Sequence, residues 1–202
     1  MFEILTVCTG NICRSPLAAA LLRTRLAPLD VNVVSAGTRG LREAPMTKEI
    51  VTLATSLGVS PVDIDAHRSR FLMESHLASP DVIFAMTREH RRDVVELAPS
   101  RMRSTFTIRE FARLADSLTD HQLRSAADTG GSDPASRVRA LSAAVASQRG
   151  LVLPPADPTD DDVVDPYGRS WQTYELSASQ LEPAVDATVR ALKLAFLTSV
   201  VE

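Results

Sequence analysis

Phe2-Glu3-Ile4-Leu5-Thr6-Val7-Cys8-Thr9-Gly10-Asn11-Ile12-Cys13-Arg14-Ser15-Pro16 is the stretch on which the fold turns. Phe2 to Val7 is a nearly continuous apolar run, which is how a strand buried on both faces reads. The run stops at Cys8. Pro16, tolerated at the first helical position, opens a helical pattern carried by Leu17, Leu21, Leu22 and Leu26. A loop between a buried strand and a helix start aims several backbone N–H groups into one cavity, and the helix end adds partial positive charge. Such a cavity is suited to a tetrahedral oxyanion. Gly10 and Asn11 tolerate the left-handed backbone that a tight cradle needs.

Outward from this unit the alternation continues. Asn32 to Ser35 reads as a second strand, closed by Ala36-Gly37-Thr38, and Ile50, Leu53, Ala54 and Leu57 mark a helix that Gly58 ends. Asp81 to Met86 is a third buried strand, Arg88 to Leu97 an amphipathic helix, and Ser104 to Ile108 a fourth strand. Strand and helix in alternation predict an α/β layer with parallel strands. Residues 118–162 change character. Ala126 to Ser132 reads as a flexible loop, Asp133-Pro134 as the cap of a helix ended by Gly150, and Pro154 to Asp162 as a stiff acidic linker. This segment has too few large apolar residues to close a core of its own and is expected to be an insertion in one domain spanning 1–202. The chain closes in helix, with Trp171, Tyr174, Leu181, Val185, Val189, Leu192, Phe196 and Val200 along it and Pro183 expected to kink or split it.

Composition narrows the function classes. At 202 residues, 45% hydrophobic and 23% charged, the chain can bury one substantial core, so global disorder is excluded. The net charge of -3 and the absence of a long basic run argue against nucleic acid or an anionic membrane as partner. No apolar run reaches the ~18 residues of a membrane span, and Met1 to Cys8 lacks the basic flank of a signal peptide. Two cysteines five apart cannot make a disulfide framework, so a reduced, cytoplasmic setting is expected, in which cysteine is kept for chemistry. His67, His76, His90 and His121 do not cluster with them at zinc-like spacing, so no metal site is expected.

The loop residues then take roles. Arg14 offers a planar fork for two oxygens of a phosphoryl group. Cys8, set in the positive field, is expected as a nucleophilic thiolate aimed at phosphorus, with Ser15 donating a hydrogen bond to the sulfur. A phosphate ester with a poor leaving group also needs an acid. Of the Asp-Pro pairs at 133, 157 and 165, the first looks like a helix cap and the second lies in the acidic linker. Asp165-Pro166-Tyr167-Gly168 sits just before the final helix, with an aromatic beside the acid and a glycine for the turn.

Together these residues resemble the low-molecular-weight protein tyrosine phosphatase family. The match rests on C-x5-R-S within the first fifteen residues, Ser35-Ala36-Gly37-Thr38, His67-Arg68-Ser69-Arg70, the strand Asp81 to Met86 with its helix, and the late Asp165-Pro166-Tyr167, in the family's order. The resemblance implies a flavodoxin-like fold: a four-stranded parallel sheet with helices on both faces, the phosphate-binding loop after strand 1, and neither metal nor organic cofactor. It implies catalysis by Cys8, Arg14 and Asp165 through a cysteinyl-phosphate. Thr9, Gly10, Asn11, Ile12, Cys13 and Ser15 would surround the phosphate, and Asn11, Ser35 and His67 would hold the loop in shape. Tyr167 would flank an aromatic substrate ring, and Leu41 would stand where the family often has Trp, as in the bacterial branch that acts on capsule-associated tyrosine kinases. Cys13 is placed for a redox disulfide with Cys8.

The function expected is a cytoplasmic phosphotyrosine-protein phosphatase acting on phosphotyrosine proteins, a bacterial tyrosine kinase among them. Three alternatives stand beside it. Phosphoarginine-specific relatives carry Thr at the position of Ile12, and Ile there leaves a ring-shaped slot. An arsenate reductase would need an external thiol, since no cysteine follows Cys13. A non-catalytic phosphoryl-binding module would not need nucleophile, Arg14 and acid together.

Overall fold

The computed structural model describes residues 1–197 of the chain; Val200, expected on the last helix, lies outside the described residues. Its elements alternate in the order read above. β1 (Phe2–Cys8) leads through the Cys8 loop into α1 (Arg14–Leu26), then β2 (Val31–Gly37), α2 (Lys48–Ser56) and a short α3 (Pro61–Asp65) that the sequence reading missed. β3 (Val82–Ala85), α4 (Arg88–Leu97), β4 (Thr105–Thr107) and α5 (Ile108–Asp116) follow, then α6 (Asp120–Asp128), α7 (Pro134–Ser147) and α8 (Trp171–Leu194).

The four strands form one sheet in the order β2-β1-β3-β4, every pair parallel. After β1 the chain crosses to β2 on one side; it then returns to lay β3 on the other side. The C-terminal end of β1 is therefore the topological switch point, the place where open parallel sheets form a ligand crevice. Cys8 ends β1 at that point.

The sheet's two faces are unequal. Phe2, Ile4, Val82, Phe84 and Phe106 point into the main core with α1, α5, α7 and α8, whereas Leu5, Val7 and Ile83 meet a smaller cluster closed by Leu72, Leu77 and Val94. The alternation follows from the pleat of strands covered on both sides. Phe111 anchors the main core by edge-on contacts with Phe84 and Phe106.

Several expectations need correction. α1 begins at Arg14, so Pro16 lies third in the helix and not first; its missing N–H is still one of the unpaired first-turn donors. Ala126 to Asp128 belong to α6 and not to a flexible loop, because Thr119 and Gln122 cap that helix reciprocally and bury Leu123 and Ala127. The stretch 118–162 thus carries two helices. Leu123, Val138, Leu141 and Val145 join the main core, and Arg139 of α7 pairs with the buried Asp81 at the foot of β3. The acidic run, expected as a stiff linker, is held to the body by its charges: Asp161 pairs with Arg113, and Asp162 with Arg88. α8 is one helix through Pro183. Pro183 and Ser179, whose carbonyl loses its partner, are both exposed, so water can satisfy the freed group.

Candidate active site

The loop after β1 is held from below by a buried polar network. Asn11 has φ 54, the left-handed turn that aims the loop's backbone inward. Its side-chain amide donates to Ser15 Oγ and to Ser35 Oγ, both at 2.9 Å, and its Oδ1 accepts the Arg70 N–H at 3.0 Å. His67 Nε2 lies 2.8 Å from the Asn11 carbonyl, which can only accept, so the ring carries its proton on Nε2. Burial pushes the His67 imidazolium down, towards the neutral ring that this bond uses. Asn11, Ser35 and His67, named from sequence as supports, thus meet around one turn of backbone.

Cys8 is 2% exposed. Its Sγ lies 3.0 Å from Ser15 Oγ and accepts the Asn11 N–H at 3.3 Å. Ser15 Oγ accepts the Asn11 amide, and its own proton has two acceptors in reach, the sulfur at 3.0 Å and the Ala36 carbonyl at 3.5 Å. With that proton on the nearer acceptor, two donors converge on Sγ. No basic side chain bonds to the sulfur among the described residues.

Arg14 is 3% exposed, and each end of its guanidinium is fixed differently. Nη1 donates to the Val163 carbonyl at 3.1 Å, and Nη2 meets Asp165 Oδ2 at 2.7 Å and Thr9 Oγ1 at 3.4 Å. Nε is buried without a partner. An orphaned buried donor is costly, and this one, beside the Cys8 loop, is available to an anionic oxygen. Asp165 is half-exposed, and its Oδ1 accepts the Tyr167 N–H at 3.2 Å. Gly168, at φ 70, then lets Arg169 close a turn onto the Pro166 carbonyl. Among the described residues neither Asp133 nor Asp157 pairs with Arg14. Each caps a helix, the first bonded to Ser136 and the second to Thr159, and those bonds hold both carboxyls below the usual range.

Above the loop lies a cleft of about 220 Å³ lined by Cys8, Thr9, Gly10, Ile12, Cys13, Arg14, Arg39, Leu41, Asp165 and Tyr167. Its floor is polar backbone with Cys8 and Arg14, and its walls include Ile12, Leu41 and Tyr167. Arg39 was missed by sequence reasoning. It reaches the rim because its N–H bonds to the Thr9 carbonyl, tying the loop after β2 to the loop after β1. Cys13 also lines the cleft, near Thr47 and Tyr174; burial pushes its thiol up to about 11, which makes it a weak nucleophile at neutral pH for the redox role expected of it.

Gly37 makes the close approach of the two loops possible: a Cβ there would lie 2.5 Å from the Thr9 carbonyl oxygen and 3.0 Å from the Asn11 nitrogen. Gly37→Ala is expected to destabilise the protein by about 1–3 kcal/mol, as overpacking against backbone does, and to lower turnover by shifting the loop. Urea unfolding and turnover measured together check this; a variant of unchanged stability and rate contradicts the packing read here.

A second expectation concerns acid. Burial, with Arg14 adding to it, lowers the His90 pKa to about 3, and burial lowers that of His67 as well. In the unfolded chain a histidine titrates near 6.5. Between these values the unfolded state takes up protons that the folded state refuses. The stability is therefore full above about 6.5 and is lost as pH falls towards 3, with roughly 2 kcal/mol going between pH 7 and 5 for His90 alone. Urea unfolding across that window should show the decline, and a flat profile contradicts it.

Residues 3–128 match the family described as low molecular weight phosphotyrosine protein phosphatase. A protein-arginine-phosphatase of Geobacillus stearothermophilus is 27% identical over 192 residues, covering 95% of this chain and 97% of that protein. The low molecular weight protein-tyrosine-phosphatase Etp of Escherichia coli strain K12 is 43% identical over 97 residues, which is 48% of this chain and 62% of Etp. Among solved structures, the YwlE arginine phosphatase from Geobacillus stearothermophilus superimposes with a TM-score of 0.66 at 26% identity, covering 96% of this chain and 94% of that one. A low molecular weight protein tyrosine phosphatase from T. tengcongensis gives 0.64 at 26% identity, covering 94% and 98%.

Proposed function

The chain belongs to the low molecular weight phosphotyrosine protein phosphatase family, and on that premise we propose that it hydrolyses phosphotyrosine in proteins through a cysteinyl-phosphate on Cys8. The observation that carries this reading is the make-up of one cleft: a floor of buried Cys8 and Arg14, whose Nε is unpaired, shared with walls of buried Ile12 and exposed Leu41 and Tyr167. A phosphoryl group seated on the floor places the ester's phenyl ring between those walls.

The chemistry follows from the contacts. The Cys8 thiolate attacks phosphorus; the S–P bond forms as the bond to the tyrosine oxygen breaks. Asp165, in its acid form, gives its proton to the departing oxygen. Arg14 Nε and the loop N–H groups carry the charge that spreads over the equatorial oxygens. Asp165, now a carboxylate, takes a proton from the water that attacks phosphorus, and the S–P bond breaks to return the thiolate and release phosphate. The Ser15 hydroxyl and Asn11 N–H stabilise the sulfur as it leaves.

Phosphoarginine is the second reading, supported by the likeness to the protein-arginine-phosphatase along nearly the whole chain. The walls weigh against it. Asp165 is the one carboxylate among the described residues of the lining and is already paired with Arg14, while Ile12 and Leu41 give a guanidinium only aliphatic surface and suit an aryl ring better. Tyrosine-phosphorylated cytoplasmic proteins, a bacterial tyrosine kinase among them, are the substrates we propose.

Rapid acid-free quenching during turnover, followed by peptide mapping, tests the reaction class. Phosphate is expected on Cys8. Phosphate on another residue, or turnover only of arsenate with an added small thiol, contradicts the proposal.

A further inference from the structure

His90 is 4% exposed and sits in the first turn of α4, away from the Cys8 loop in sequence but against it in space. Its two ring nitrogens each meet a hydroxyl. Nδ1 lies 2.8 Å from Thr87 Oγ1, the residue that caps α4, and Nε2 lies 2.8 Å from Thr9 Oγ1 in the loop. Thr9 Oγ1 also accepts from Arg14 Nη2 at 3.4 Å. A polar chain therefore runs Thr87, His90, Thr9, Arg14, from a helix on the thinner side of the sheet to the guanidinium beside the nucleophile.

We propose that His90 is a positioning residue for the proposed phosphatase reaction: it locks the Thr9 hydroxyl, and Thr9 fixes the plane of the Arg14 guanidinium. The need for such a lock comes from Arg14 itself. Val163 holds Nη1, but Nη2 is shared between Asp165 and Thr9. A bound phosphoryl group competes with the Asp165 carboxylate for that nitrogen. Once Asp165 turns to its leaving-group task, Thr9 is the side chain left to hold Nη2. A guanidinium held at both ends presents its fork to the phosphate at no ordering cost during reaction.

The ring must be neutral for this. A neutral imidazole can donate to one hydroxyl and accept from the other in either tautomer. An imidazolium would donate at both nitrogens and would set a second positive charge beside Arg14. The charged groups that face His90 are Arg14 from α1, which opposes protonation, and Asp162 from the segment before the acid loop, which favours it; burial adds to the first. Nothing in the α4 fold requires the second contact, since Thr87 alone serves the helix cap through the His90 N–H at 3.3 Å.

Two substitutions separate positioning from packing. Gln at 90 can place an amide near the former Nε2 and keep the Thr9 contact; Asn at 90 is shorter and can keep only Thr87. Turnover of para-nitrophenyl phosphate and of a phosphotyrosine peptide, affinity for orthovanadate, and urea unfolding are measured for His90→Gln, His90→Asn, Thr9→Val and the pair Thr9→Val/His90→Asn. His90→Asn is expected to lose about 10-fold in kcat and a similar factor in vanadate affinity, with His90→Gln recovering most of both. Adding Thr9→Val to His90→Asn should cost little more, because both act through one chain of bonds.

The proposal is overturned if folded His90→Asn keeps wild-type kcat and vanadate affinity. It is equally overturned if Asn and Gln fall together in step with their stability. The inference rests on the phosphatase reading, and the two fail differently. A wild-type chain that turns over neither substrate refutes that reading, whereas vanadate affinity across the same variants still decides the role of His90.

Discussion

Cys8→Ser is expected to lose turnover by about 10⁴-fold or more, the scale of removing a nucleophile outright, while still binding phosphate and orthovanadate. The hydroxyl that replaces the thiol stays protonated at neutral pH. The groups that bond to the present sulfur are the Ser15 hydroxyl and the Asn11 N–H, and both are donors in this arrangement. Neither can take the proton from a serine. The cradle itself does not depend on sulfur: Asn11 keeps its bonds to Ser35, Arg70 and His67, and Arg14 keeps Val163 and Thr9. Turnover and vanadate affinity of the purified variant check both halves. Appreciable activity in Cys8→Ser removes it as the nucleophile, and loss of anion binding shows that the loop depends on the thiol for its shape.

Asp165→Asn is expected to cost roughly 10²-fold or more on phosphotyrosine, the usual contribution of a general acid. The tyrosine phenol has a pKa of about 10 and departs poorly as an anion. Para-nitrophenolate is a far better leaving group, so the loss should be smaller when its expulsion limits the rate. The amide keeps a bond to Arg14 through its oxygen, so the effect reports on the proton and not on loop geometry. Asp133→Asn and Asp157→Asn serve as controls. Both positions cap helices, a task asparagine performs well. A crippled Asp133→Asn or Asp157→Asn beside an active Asp165→Asn contradicts the acid assignment.

The strand–loop–helix at Phe2 to Ser15 was legible because two local signals coincide there: an apolar run stops, and a helical spacing begins. β3, α4 and α7 were legible for similar reasons, since each begins or ends at a cap, a proline or a polar break. The grouping of Asn11, Ser35 and His67 came through the family resemblance; nothing local in those residues predicts their meeting. What stayed hidden depends on contacts between distant segments. Asp161 and Asp162 looked like solvated charge until Arg113 and Arg88 were placed opposite them. His90 looked like one of four scattered histidines until β3 and α4 were laid beside the Cys8 loop. Arg39 carries no motif; only the bond from its backbone to Thr9 sets it at the cleft. Pro183 misled because the cost of a proline inside a helix depends on whether the freed carbonyl faces water, and residue type alone does not report that.

The identity of the side chain above the phosphate decides between the two readings, because a protein-arginine-phosphatase is similar along nearly the whole chain while Ile12 and Leu41 line the cleft. It is tested most directly by kcat/KM of the purified chain on two peptides of one sequence, the first phosphorylated on tyrosine and the second on arginine at the same position. The aliphatic Ile12 and Leu41 and the Tyr167 ring favour an aryl group over a guanidinium, so a preference for phosphotyrosine of about 10-fold or more is expected. A preference for phosphoarginine would contradict it.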